Sequence, residues 1–224
     1  MNHNPILTMI KCNVTISGTV SKAAQVRNNR DGKPFTTFGV AVIIINPQGI
    51  NKNVEVSVIK DGVENTSNFV VGNRIEMTGE LTFRKREDNL YFNFSAQNIN
   101  LTPTSTEDGI KGELTMKGTA GKNIEQKQTK TGNSMLIFSA YSGEKTENGF
   151  AFTWVRFVQF GAARPDWLQP KTTIEARGEL ELSVYNDRLS LGCKLSGLQP
   201  WQKPAYVPRC AQVKQSSSSE DCPY

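Results

Sequence analysis

The sequence predicts an all-β protein with little helix, built from two tandem five-stranded barrels. Two observations carry this prediction. The chain repeats itself at an interval of about one hundred residues, and apolar and polar residues alternate with period two inside each copy. A length of 224 residues is enough for two small domains or one large one.

The repeat consists of matched positions that keep one register along the chain. Gly18 recurs as Gly118 and Phe38 recurs as Phe138, so the offset between the copies is 100. The segment 79–81 (Gly-Glu-Leu) recurs at 178–180, an offset of 99, as a one-residue loop deletion would produce. We therefore predict two homologous domains, residues 9–102 and 110–201, joined by a short polar link.

Strands are predicted wherever the period is two. Residues 74–83 alternate between apolar and polar side chains, and residues 174–184 do the same in the second copy, as half-buried strands do. Turn-prone residues at 87–89 and 186–187 are each followed by another such run, which predicts a hairpin in each copy. The other strand candidates are 12–21, 35–45, 53–59, 90–101, 114–120, 134–141, 150–160 and 188–199, and the helix candidates are 61–70 and 161–168. Five strands and one short helix per copy favour a small closed barrel, of which the five-stranded OB-fold is the commonest plan.

Composition argues against several classes of protein. The longest apolar run, residues 40–45, is far too short for a membrane helix, and no secretory signal pattern precedes the first strand. The chain has one histidine, His3, and four cysteines with no paired spacing, so we expect no metal and no cofactor. Such isolated thiols without a signal indicate a reducing cytoplasm. The four cysteines are Cys12, Cys193, Cys210 and Cys222.

The strand at 150–160 carries the clearest functional pattern. Both of its faces are rather apolar, but Arg156 would be costly to bury without a partner, so its face is predicted to point outward. That assignment exposes Trp154 and Phe160 beside a cation, an arrangement that stacks unpaired bases. The alternative is that Trp154 fills the barrel while Arg156 extends past it to solvent.

Basic residues recur at equivalent turns of the two copies. In an OB barrel the loop between the first two strands and the hairpin between the last two flank the binding face. Lysines in turns are often merely solvated, but their recurrence in both copies favours a role in phosphate binding. The candidates at these places are Arg30, Lys33, Arg84, Lys85, Arg86, Lys127, Lys130 and Tyr185.

The last segment, residues 202–224, is rich in Ser, Pro and Gln and is predicted to be a disordered, flexible tail. It ends in an acidic pair, a proline and an aromatic residue that bears the free carboxylate, a pattern that suits a basic, apolar-floored pocket on a partner protein. The alternative is an end with no binding role. The tip residues are Glu220, Asp221, Cys222, Pro223 and Tyr224.

Three segments resemble the bacterial-type single-stranded DNA-binding protein family, in its variant with two OB-folds per chain. They are residues 31–42, residues 154–161 and the tip at 220–224. The resemblance implies DNA-contacting roles for Trp154, Arg156, Phe160 and Tyr185, recruitment of DNA-processing proteins by the tip, and a homodimer with four barrels. The first copy departs from the pattern, since its third strand, 54–59, has neither tryptophan nor arginine.

These patterns predict a non-enzymatic protein that binds and protects single-stranded DNA without sequence preference in replication, recombination or repair. The expected location is the cytoplasm, at the nucleoid or in a host cell. An OB-fold assembly factor of a primosome or conjugation system with weak DNA binding remains an alternative, as does an RNA-binding OB protein. A catalytic role is disfavoured, because no cluster of carboxylates accompanies a base or a metal pattern.

Overall fold

The structure, a computed structural model, describes residues 10–45, 51–86, 89–129, 132–146, 149–185 and 188–202. Strands make up most of these residues, and no helix among them is long and apolar enough to cross a membrane. The strands of the first copy are β1 (Ile10–Asn28), β2 (Pro34–Ile44), β3 (Lys52–Asp61), β4 (Arg74–Arg86) and β5 (Asn89–Asn100). Those of the second copy are β6 (Gly109–Gln128), β7 (Ser134–Thr146), β8 (Gly149–Phe160), β9 (Thr173–Tyr185) and β10 (Arg188–Pro200).

Each set of five strands closes into a barrel because its first strand is long enough to pair with two other strands of the same barrel. The first half of β1 pairs antiparallel with β4, and the second half pairs with β2 from Thr19 onward. Strand β2 pairs with β3, β3 runs parallel to β5, and β5 returns antiparallel to β4. This closed order, 1-2-3-5-4-1, is that of an OB-fold, and β6 to β10 repeat it. The predicted fold class is therefore confirmed.

The core of each barrel is built from the inward residues of the alternating strands. In β3 these are Val54, Val56 and Val58, and in β8 they include Val155 and Phe157, all of them buried. Each such side chain contributes about 1.5–3 kcal/mol by leaving water. Two buried thiols belong to this core, and burial raises the pKa of both, that of Cys193 to about 12. They are therefore neutral packing groups at physiological pH.

The prediction of a short helix in each copy is wrong. Within 61–70 only a single 3₁₀ turn forms, at Thr66–Asn68, and residues 161–168 contain no helix. Each segment buries one apolar anchor, Phe69 in the first and Leu168 in the second, instead of an apolar stripe that a helix could present. In the second segment the Arg164 Nε donates to the backbone oxygen of Leu168 at 2.9 Å, which holds the loop in an irregular form.

The two barrels are joined edge to edge by antiparallel pairing of β1 with β6. The pairing runs from Ile10 opposite Met116 to Ser17 opposite Gly109. At its centre Asn13 lies opposite Glu113, its own equivalent at the repeat offset of 100. The joint is thus related to itself by a pseudo-twofold axis, like the isologous contact of a dimer.

The connecting segment between the barrels is bound to the first barrel through Asp108. One carboxylate oxygen of Asp108 accepts a hydrogen bond from the backbone N–H of Ile43 at 2.8 Å, and the other accepts from the Arg74 Nη1 at 2.6 Å. Arg74 also donates through Nε to the backbone oxygen of Ser105 at 2.9 Å. Because both charged groups are largely shielded from water, this ion pair is of the kind that is costly to break from one side.

Candidate nucleic-acid interface

The outer surface of the second barrel carries the side chains that the sequence singled out in strand β8. Val155 and Phe157 are fully buried, whereas Trp154 is 50% exposed, Phe160 is 55% exposed and Arg156 is exposed. The outward assignment argued from the arginine is therefore confirmed, and the alternative in which Trp154 fills the barrel is excluded.

Four rings form a continuous group on this surface, which we call the aromatic ridge: Tyr141, Phe150, Phe152 and Trp154. Tyr141 and Trp154 lie opposite each other on β7 and β8, with ring centroids 4.9 Å apart. The Tyr141 ring meets Phe152 edge-on at 5.5 Å, and Phe152 stacks with Phe150 at 6.5 Å. Because the rings touch one another along the strand, they present a row of aromatic surface and not scattered single residues.

Glycines beneath the ridge keep its rings close to the sheet. A Cβ placed at Gly121 would lie 3.2 Å from the Trp154 ring, and one placed at Gly143 would lie 3.1 Å from the Phe152 ring. The rings therefore cover backbone where a side chain would otherwise stand, as aromatic residues do over glycines in other sheets. Their outer surfaces remain open to solvent.

The charges around the ridge are of both signs. Arg156 and Lys122 are exposed, and among the described residues neither has an acidic ion-pair partner. Lys127 is paired with Glu125 at 2.6 Å. The hydrogen bond and charge of Lys127, together with the charge of Arg156, lower the pKa of Glu125, so this carboxylate is ionised at neutral pH. Lys127, a predicted site residue, is thus partly neutralised.

The predicted basic loop between the first two strands is shorter than the sequence indicates. Strand β1 continues to Asn28, and only a tight turn at 29–33 separates it from β2. In this turn the Gly32 N–H donates to the backbone oxygen of Asn29 at 3.1 Å, and Arg30 and Lys33 are exposed. In the second copy the Gly132 N–H likewise donates to the backbone oxygen of Thr129, at 2.9 Å, and Lys127 lies within β6. The loop prediction fails because strand pairing continues through polar residues that carry no apolar signal.

The hairpin between β4 and β5 brings basic and aromatic groups together on the first barrel. Arg84 lies opposite Tyr91, and the Arg86 guanidinium lies 5.8 Å from the centre of the Tyr91 ring. Lys85 is on the opposite side of the strand and is half-buried. The Arg84 Nε lies 3.9 Å from a carboxylate oxygen of Glu144 in β7, so this arginine bridges the two barrels.

Several predicted residues lie outside the described part of the chain. Lys130 is one, and the backbone of Tyr185 belongs to β9 but its side chain is not described. Of the predicted tail only Gln202 lies within the described ranges. Among the described residues no group of three His, Cys, Asp or Glu side chains could hold a metal ion. The tip residues outside the described ranges are Glu220, Asp221, Cys222, Pro223 and Tyr224.

Four residues of this surface were not among the predicted site residues: Tyr141, Phe150, Phe152 and Lys122. The alternation of 150–160 already places Phe150 and Phe152 on the face of Trp154, so a stricter use of the period would have included them. Tyr141 joins them only through the register of β7 against β8. No local sequence pattern specifies that register.

Solved structures with a similar course of the chain include two kinds of protein. The single-stranded DNA-binding protein from Thermus aquaticus is 14% identical, with a TM-score of 0.44, and the match covers 90% of this chain and 98% of that one. The protein priB from Ralstonia solanacearum is 17% identical, with a TM-score of 0.31, and the match covers 40% of this chain and 97% of that one. No protein-family model matches the chain, and no curated protein matches it. The OB-fold assignment rests on the strand order and closure of the two barrels.

Proposed function

We propose that the chain binds single-stranded DNA without sequence preference, through the outer surface of β7 and β8. The observation that supports this most directly is the aromatic ridge, with a half-exposed Trp154 in contact with Tyr141 and Arg156 two residues further along the strand. Every base has a flat face that can stack on such rings. Binding of this kind tolerates any sequence.

Base stacking and phosphate contacts both contribute to the proposed binding free energy. Each base stacked on the ridge contributes about 1–3 kcal/mol. We expect the exposed Arg156 and Lys122 to contact phosphates, with further cations from the β4–β5 hairpin, which the Arg84–Glu144 contact links to β7. With about four to six phosphate contacts per chain, the logarithm of the binding constant should fall against the logarithm of salt concentration with a slope of roughly −3 to −4.

The cellular role that fits this binding is protection of exposed single strands in replication, recombination or repair, with no catalytic step. The resemblance noted above adds two further elements to the proposal. The tip at 220–224 recruits DNA-processing proteins, and two chains pair into a homodimer in the cytoplasm. Deleting residues 203–224 tests the tip, because the shortened chain should lose its protein partners and keep its affinity for DNA.

The test of DNA binding replaces Trp154 and measures affinity with a labelled strand. Anisotropy of a fluorescein-labelled oligo(dT) reports binding independently of the lost tryptophan. We expect Trp154→Ala to weaken binding by about 5- to 150-fold, which is what the loss of one stacked base implies. Trp167→Phe is the matched control, because Trp167 packs against the core of the same barrel instead of lying on the ridge.

Two outcomes would contradict the proposal. If the wild-type chain does not bind oligo(dT) at low salt, it is not a single-strand binder. If Trp154→Ala and Trp167→Phe have equal effects, the ridge is not the binding surface. A parallel titration with oligo(rU) distinguishes DNA from RNA, since stacking alone accepts both.

A second candidate function is an OB-fold assembly factor with weak DNA binding. It is favoured by the contact of Arg84 with Glu144 between the barrels, which pairs one predicted phosphate ligand with a carboxylate. In that case the chain would bind its protein partners with residues 203–224 deleted and would bind oligo(dT) only at low salt.

A further inference from the structure

The register of the strands aligns the ridge with its counterpart on the first barrel, position by position. Tyr141 is opposite Trp154 in the second barrel, and Ala41, the equivalent of Tyr141 at offset 100, is opposite Glu55 in the first. Glu55 therefore occupies in the first barrel the place that Trp154 occupies in the second. This correspondence follows from strand pairing and is not visible from the weak sequence similarity of β3 and β8.

The same register defines the other counterparts on β3. Ser57 is opposite Gly39 as Arg156 is opposite Ser139, so serine stands where the second barrel has its arginine. Asp61 corresponds to Phe160, since each lies opposite the second residue of its neighbouring strand, at 35 and 135. Strand β3 contains no aromatic residue, and both of its acidic counterparts are exposed.

The presence of Glu55 where the second barrel has Trp154 also determines whether a neighbouring lysine is ion-paired. In the first barrel Lys22 forms an ion pair with Glu55. Its equivalent at offset 100 is Lys122, which is exposed and has no acidic partner among the described residues. One exchange, glutamate for tryptophan, thus removes a stacking ring from the first barrel and neutralises a cation there at the same time.

We propose that the two barrels differ in function: the outer face of β7 and β8 binds the strand, and Glu55 and Asp61 exclude it from the equivalent face of β2 and β3. This inference rests on the proposed function and adds that each chain has one stacking site, with Lys122 as its phosphate ligand. The two carboxylates repel phosphates, and β3 has no ring, so that the half-buried Phe35 of β2 is the aromatic residue left near Asp61 for a base to stack on.

The first experiment counts the sites. A tightly bound oligo(dT) of about twelve nucleotides, the length that one barrel can cover, is titrated against the full chain. We expect one oligonucleotide per chain, and ultraviolet cross-links in peptides from 149–160 and not in peptides from 51–61. Two sites of equal affinity per chain would overturn the inference and leave the proposed function intact, whereas no binding at all would remove both.

The second experiment uses the two equivalent lysines as a matched pair. Lys122→Gln should reduce the salt slope by about 0.7, which is the loss of one phosphate contact on a single strand. Lys22→Gln makes the same change of charge at the equivalent position and should leave the slope unchanged. Equal effects of the two variants would overturn the inference, because they would mean that both faces contact phosphate.

The third experiment introduces the tryptophan, arginine and phenylalanine of β8 at the equivalent positions of β3. The triple variant Glu55→Trp, Ser57→Arg and Asp61→Phe should bind a second oligonucleotide per chain. The control is Glu76→Gln, Thr78→Arg and Glu80→Gln, which changes the net charge equally on the outer face of β4 and should still bind one. A second site in the control, or one site in both variants with unchanged melting temperatures, would contradict the proposal. The number of oligonucleotides bound per chain and the comparison of Lys122→Gln with Lys22→Gln test the proposal even if the triple variant does not fold.

Discussion

Trp154 is half-exposed because of the residues that surround it on the sheet. Its ring lies close to Gly121 on one side and touches Tyr141 on the other, so only part of its surface is left for a ligand. A ring held in this way loses little side-chain freedom when a base stacks on it, and less of the stacking energy is offset by ordering. A tryptophan ring equally exposed on a flexible loop would bind a base more weakly, because ordering that ring would cost more free energy.

Glu125 lies near Arg156 and Lys127, and we expect its negative charge to oppose binding of DNA. Its pKa is lowered mainly by the hydrogen bond from Lys127, so the carboxylate stays charged well below neutral pH. A lowered pKa stabilises the folded chain while the carboxylate is charged. This stabilisation is complete above the pKa of the unfolded chain, about 4.3, and is lost as the pH falls through the lower pKa of the folded chain. Between pH 5 and pH 8 its effect on DNA binding should therefore be constant.

Replacement of Glu125 by glutamine should strengthen DNA binding. The change frees Lys127 and removes a negative charge near Arg156, so we expect about 2- to 10-fold higher affinity at low salt and a smaller gain at high salt, where the charges are screened. Anisotropy titrations at several salt concentrations measure this. Glu107→Gln, an exposed acid of the connecting segment, is the control, and an equal gain there would mean that only net charge matters.

At the scale of the strand, the repeated Gly-Glu-Leu segment has a structural cause. Gly79 in β4 and Gly178 in β9 are equivalent, and a Cβ at either would lie 2.1 Å from a backbone oxygen of the neighbouring strand, that of Ser95 or Lys194. Both lie beside an irregularity in the pairing of the last two strands of the barrel. The sequence repeat therefore marks places where two backbones approach too closely for a side chain.

Substitution of Gly79 by alanine should destabilise the first barrel. The added Cβ meets backbone that cannot rotate away, and such overpacking costs about 1–3 kcal/mol. We expect the melting temperature to fall by about 2–12 °C. Gly197→Ala is the matched control, since nothing lies within 4 Å of a Cβ at Gly197. If both variants melt alike, the close approach is not what requires glycine.

At the scale of the whole molecule, the pairing of β1 with β6 makes the two barrels one continuous ten-stranded sheet. The Asp108–Arg74 ion pair holds the connecting segment on the first barrel, and the Arg84–Glu144 contact adds a second link between the barrels. The relative placement of the barrels is thus defined by backbone hydrogen bonds and by ion pairs. That placement determines how far the aromatic ridge lies from the basic hairpin of the first barrel.

Substitution of Gly112 by alanine should separate the barrels. A Cβ at Gly112 would lie 2.2 Å from the backbone oxygen of Asn13, in the middle of the β1–β6 pairing. We expect a larger radius of gyration in small-angle X-ray scattering while the circular dichroism of each barrel's strands is retained. The control is Gly109→Ala in the same strand, where the nearest atom would be the Lys111 Cε at 3.8 Å. An unchanged scattering profile for Gly112→Ala would show that the joint tolerates the side chain.

The amino-acid sequence determined the fold class, the number of barrels and the direction in which Trp154 and Arg156 point. The number of barrels follows from the repeat of about one hundred residues, whereas the other two depend on local period and on the cost of burying a charge, which can be read along one strand. The short helices were wrong, because a single buried anchor such as Phe69 leaves a pattern that a helix and a loop share. The length of the first hairpin was missed, because polar residues pair in a strand without any apolar signal.

Only the tertiary structure decided which residues meet across strands. Tyr141 joins Trp154, and Glu55 takes the place of Trp154 in the first barrel, through the registers of β7 with β8 and of β2 with β3. The Arg84–Glu144 contact and the β1–β6 joint depend on the position of one barrel against the other. A register is set by hydrogen bonds between segments distant in the chain, and by the packing of whole faces, so no local pattern contains it.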